Sequence, residues 1–79
     1  MDGRFRNDGV QIGVIVGPSI VIEVIVKKAS NDANIPMDWC YVGGRGIVYA
    51  IGNEDHIDLA KRHLRMNMPQ YDILHVKYL

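Results

Sequence analysis

Eleven of the seventeen residues from Val10 to Val26 are Val or Ile, in two runs separated by Gly17-Pro18-Ser19. β-Branched side chains suit a pleated, half-buried surface better than a helix, so this stretch predicts a β-hairpin that seeds the core. A three-residue loop at Gly17-Pro18-Ser19 sets Val16 opposite Ile20, Val14 opposite Ile22, Ile12 opposite Val24 and Val10 opposite Val26. One face is then wholly β-branched, and the other carries Gln11, Gly13, Ile15, Val21, Glu23, Ile25 and Lys27. A two-residue loop would set Val14 against Glu23 and mix the faces, so the odd loop is the better register. Ile15, Val21 and Ile25 stay behind as apolar patches on the mixed face and predict an oligomer contact.

Seventy-nine residues make one domain, near the lower limit for a core without disulfide or metal staples. An apolar content of 48% argues for a folded chain. Nine basic and nine acidic residues balance, which removes any global field toward nucleic acid or anionic lipid. The single Cys40 allows no internal disulfide and suits a reducing interior. No apolar run is long enough for a membrane span or a signal peptide, so a cytoplasmic location is expected.

Residues 1–9 are polar around Arg4-Phe5-Arg6 and read as a flexible N-terminal arm, with 10–79 as a single domain. Ser30, Asn31, Asp32 and Asn34 are turn formers, so Lys27 to Met37 reads as a connection with room for a single helical turn. A second hairpin is expected from Trp39–Val42 and Ile47–Ile51 across Gly43-Gly44-Arg45-Gly46. Its faces are Cys40, Val42, Ile47, Tyr49 and Ile51 on one side, expected buried, and Trp39, Tyr41, Val48 and Ala50 on the other.

Glu54 to Met66 carries the full set of helix signals. Asn53 is a good N-cap, Glu54 and Asp55 sit in the positive first turn, and Lys61, Arg62, His63 and Arg65 crowd the negative end. Asn67 is suited to a left-handed cap and Pro69 forbids resumption. Ile57, Ala60 and Leu64 form the apolar stripe. Tyr71 to Tyr78 reads as a closing strand. The expected fold is thus an α+β two-layer sandwich, a mainly antiparallel sheet of five strands in the order β-β-β-β-α-β with one main helix. One helix cannot cover both faces of such a sheet, which leaves Trp39, Tyr41, Ile15, Val21 and Ile25 on a bare face and predicts association.

Candidate chemistry is sparse. Gly43-Gly44-Arg45-Gly46 matches the GxxG pattern of KH domains, but strand-like segments flank it where a KH domain has helices. A hairpin turn with Arg45 at an exposed tip accounts for it more simply. Gly46 to Ile51 resembles the first strand of GIY-YIG nucleases, without the second Tyr-Ile-Gly strand or the catalytic Arg. His56 and His63 lie seven apart, about 10 Å along a helix axis, too far for one ion. No Cys-x-x-Cys or His-x-x-x-His pair occurs, and Cys40 lacks a catalytic setting. No catalytic residue, metal or cofactor is assigned, and enzymatic activity is not expected. The leading expectation is a small interaction module, acting on a larger protein and self-associating. The alternative is a nucleic-acid-binding domain, with Arg45, Lys61, Arg62 and Arg65 on phosphates and Trp39 and Tyr41 stacking on bases.

Overall fold

Gly17 and Pro18 do not close a hairpin; they launch a helix. The computed structural model describes residues 9–68 and 75–77. Along it run β1 (Val10–Val16), α1 (Ser19–Ala33), β2 (Met37–Val42), β3 (Arg45–Ala50), α2 (Glu54–Met66) and β4 (His75–Lys77). The expected second strand of the first hairpin is the first half of α1. The expectation of five strands and one main helix is therefore corrected, among the described residues, to four strands and two helices. The α+β class and the two-layer packing stand.

The helix wins because of what it buries. Pro18 caps it in extended geometry, and its carbonyl accepts from the amides of Val21 and Ile22 at 3.1 and 3.2 Å. Ile22, Ile25, Val26, Ala29 and Ala33 recur at helical spacing and are all buried. A strand would instead have alternated Glu23 and Lys27 with Val21 and Ile25 on one face. Helix propensity costs β-branched residues only a few tenths of a kcal/mol each. Burying one Ile or Val side chain contributes about 1.5–3 kcal/mol, so the continuous stripe prevails. Asn34 ends α1 in the left-handed region at φ 55°, its amide reaching back to the Asn31 and Ser30 carbonyls. The Ser30 hydroxyl donates to the Ile35 carbonyl at 2.8 Å and fixes the exit.

The sheet order is β2-β3-β1-β4, with every pair antiparallel. This is the split β-α-β, or ferredoxin-like, topology, in which the two strands flanking each helix are separated in the sheet. The β2–β3 hairpin turns on two residues, Gly43 and Gly44, at φ 58° and 78°. Those angles define a primed turn that matches the twist of the strands. Val42 therefore pairs with Arg45 and Cys40 with Ile47, two residues off the expected register. The face assignments survive a shift of two: Cys40, Val42, Ile47 and Tyr49 share one side, Trp39, Tyr41, Val48 and Ala50 the other. Which side is buried is reversed.

Both helices pack on the side of Val48 and Ala50. The core unites these with Ile12 and Ile15 of β1, the α1 stripe, and Ile57, Ala60 and Leu64 of α2. Ile12 is an extra residue between Gln11 and Gly13, where the β1–β3 register shifts, and this bulge turns it inward. Helix and sheet approach closely at Gly46, where an added Cβ would lie 2.7 Å from Cγ2 of Ile22. α2 follows the sequence reading, with the Asn53 side chain accepting from the His56 amide at 2.9 Å. Its C-cap Asn67 is right-handed rather than left-handed, with its own side-chain amide donating to the His63 carbonyl. All but Gly9 of the expected arm, and most of the closing strand, lie outside the described residues; β4 is the described part of that strand.

Candidate interaction surface

The register sorts most residues of β1, β2 and β3 by face. Gly13, Ile15, Gly46, Val48, Ala50, Met37, Trp39 and Tyr41 turn toward the helices. By register the outer face carries Gln11, Val14 and Val16 of β1, Arg45, Ile47 and Tyr49 of β3, and Asp38, Cys40 and Val42 of β2, although Asp38 itself is buried and also lines the groove beside α1. Among the described residues no element lies over this outer face. Val42 is 59% exposed and Val16 40% at its hairpin end, while Val14, Cys40, Ile47 and Tyr49 are half-buried across its middle. Of the nine positions it draws from β1, β2 and β3, six are apolar or aromatic, and β4 adds His75 and Lys77 in register with Val16 and Val14.

The expected oligomer face is not on the surface. Ile15 and Ile25 are buried at 0% and 1% exposure, and Val21 packs against the core from α1. Ile25 is inside because it is helical, Ile15 because the bulge turns it inward, and Val21 is left half-buried at the core's margin. Trp39 and Tyr41 are likewise on the helix side rather than the bare one. Trp39 packs against the core, and the two rings meet edge to face with centroids 6.2 Å apart. Tyr41 is at the margin of exposure, and its hydroxyl donates to the Gly17 carbonyl at 2.7 Å, tying the hairpin tip to the β1–α1 turn.

The basic residues do not assemble into one patch. Arg45 is exposed on the outer face of the sheet, whereas Lys61, Arg62 and Arg65 belong to α2 in the opposite layer. Lys61 is half-buried and lines a depression of about 300 Å³ with Glu54 and Asp58, which temper its charge. His56 is exposed beside Gly52 and His63 half-buried. Among the described residues no three metal-binding side chains converge.

A second feature lies at the sheet edge. β2 is a terminal strand, paired among the described residues only with β3. A groove of about 290 Å³ separates it from α1, lined by Val26, Lys27, Ser30, Asn31, Met37, Asp38 and Trp39. At this edge an Asp38 carboxylate oxygen accepts from the Trp39 amide at 2.8 Å, and Asp38 as a whole is 5% exposed. The sequence reading groups Cys40, Val42, Ile47 and Tyr49 on one face but expects that face to be buried, and so does not single it out as a contact surface.

No described helix is long and apolar enough to cross a membrane. No family model matches the chain, and no curated protein or solved structure matches it.

Proposed function

We propose that the chain is a small non-enzymatic protein-interaction module that self-associates and docks on a larger protein through the outer face of its sheet. One observation carries the reading: both helices cover one side, and the other presents Val14, Val16, Cys40, Val42, Ile47 and Tyr49 with no described element over them. A protein core favours such a surface as a partner, because desolvating it gains free energy roughly in proportion to the apolar area removed from water. Tyr49 near its middle supplies the amphipathic ring that interfaces favour. The balanced charge fits recognition by shape and apolar contact rather than by electrostatic capture.

Binding of nucleic acid is the weaker reading. A stacking platform on a four-stranded sheet of this kind uses two or three aromatic rings. Tyr49 alone represents them among the described outer-face residues, and α2 holds its basic residues in the other layer.

A photo-crosslinking amino acid placed at Val42 on the outer face, and separately at Ile20 on the solvent side of α1, tests the proposal. Protein adducts concentrated at Val42 and lost with Ile47→Lys support it. Equal labelling at both positions refutes it. Single-stranded oligonucleotide titrated at low salt separates the second reading, which requires tight binding that weakens steeply as salt is added.

A further inference from the structure

The geometry points to β2 as the self-association edge: two copies pair antiparallel through Met37–Val42 and fuse their sheets into one. This deepens the proposed function and rests on its self-association half. The backbone parity of β2 decides which groups are available. The two-residue turn makes Val42–Arg45 a hydrogen-bonded pair, and Cys40–Ile47 and Asp38–Tyr49 follow in alternation. The Ile51 amide donating to the Pro36 carbonyl at 3.2 Å continues the same phase. Met37, Trp39 and Tyr41 therefore aim their amides and carbonyls away from β3, at the open edge.

Among the described residues that edge carries little of the usual protection. It pairs with β3 over its whole length without a bulge, and it contains no Lys, Pro or Gly. The Asp38 carboxylate guards its centre by accepting from the Trp39 amide at 2.8 Å.

A second copy fits this edge in one register best. With the twofold axis at Trp39, Trp39 pairs with Trp39 of the second copy and Met37 with its Tyr41, so every outward amide and carbonyl is used. Asp38 then faces Cys40 of the second copy, twice by symmetry. Sliding by two residues leaves outward groups unpaired, and one such slide sets Asp38 against Asp38. The twofold is perpendicular to the sheet, so both helical layers stay on one side and the two outer faces merge. Pairing exchanges the Asp38 guard on the central amide for a carbonyl of the second copy. The groove beside α1 gives the incoming strand room.

Charge substitutions at Cys40 and an engineered cross-link test this register. Cys40→Lys sets a cation against Asp38 of the second copy and Cys40→Asp sets an anion there, at the same half-exposed position. Across a light-scattering concentration series, Cys40→Lys dimerises at least about tenfold more tightly than Cys40→Asp, because each cross-strand charge pair counts twice. Far-UV circular dichroism checks that both variants fold. Asp38→Cys with Cys40 retained brings thiols together across a non-hydrogen-bonded pair, where the Cα separation of about 4.5 Å suits a disulfide. Mild oxidation then yields a linked dimer.

Dimers whose affinity is equal in both charge variants, with no cross-link in Asp38→Cys, overturn the edge while leaving self-association intact. A Cys40–Cys40 linkage in the unaltered chain overturns the register. Monomers in every variant at every concentration overturn the edge and the self-association half together, and leave the crosslinking result at Val42 to decide docking.

Discussion

Replacing Gly46 with Ala asks directly whether residues 20–26 are a helix over the sheet. The added Cβ would sit 2.7 Å from Cγ2 and 3.1 Å from Cδ1 of Ile22, and Ile22 is fully buried. Cγ2 is fixed to a branched Cβ, so it cannot swing aside as a chain end would. Overpacking of this kind costs about 1–3 kcal/mol. Losing glycine's freedom in the unfolded chain offsets about 0.4–1 kcal/mol of that. The net expectation is a loss of about 0.5–2 kcal/mol, or a fall in Tm of several degrees for a domain this size.

The decisive comparison is the same substitution in an Ile22→Ala background, which removes both clashing carbons. There Gly46→Ala becomes neutral or stabilising, giving a coupling of about 1–3 kcal/mol. Urea denaturation of the four proteins, with osmolyte added if Ile22→Ala is too weak to extrapolate, measures it. In a hairpin register Ile22 lies across from Val14 and never meets Gly46. Costs for Gly46→Ala that agree within about 0.3 kcal/mol in the two backgrounds would sink the helical assignment.

Other outcomes follow from the same coordinates. Val24→Lys, on the solvent side of α1, changes stability by less than about 0.5 kcal/mol, whereas Ile25→Lys one residue on abolishes cooperative unfolding; comparable effects would contradict the helical phase. Asn53→Ala costs about 1 kcal/mol by freeing the His56 amide, and Asn53→Asp restores most of it in the same melts. Gly44 has a φ of 78° with nothing within 4 Å of an added Cβ, so Gly44→Ala is disfavoured by backbone strain alone, by about 1 kcal/mol. Gly43→Asn, at φ 58°, is milder by thermal denaturation.

α2 was legible because its start, stripe and stop signals all agree: Asn53, Glu54 and Asp55 open it, Ile57, Ala60 and Leu64 bury it, and Arg65 lies in its last turn. α1 was not, because its local preference and its burial pattern disagree. Ile20 to Val26 favours a strand by residue type, while the spacing of Ile22, Ile25, Val26, Ala29 and Ala33 favours a helix. Pro18 at the start, the Glu23–Lys27 pair at 3.7 Å and Asn34 at the end were the signals pointing the other way. That reassignment moved Ile25 from a predicted contact into the core and set Val21 at the core's margin, while the β1 bulge buried Ile15. The faces of the second hairpin were readable from alternation. Which of them met the helices was not, since that depends on where α1 lies.

The place of β1 in the sheet has a consequence for how the chain matures. Both its neighbours, β3 and β4, are made after it, and the nearer begins only at Arg45. During synthesis this Val- and Ile-rich segment waits unsheltered until nearly thirty more residues have emerged, for about two to six seconds at ordinary elongation rates. The step most exposed to misassembly is therefore at the ribosome, where early capture of this central ribbon by a chaperone or a neighbouring nascent chain would decide the yield.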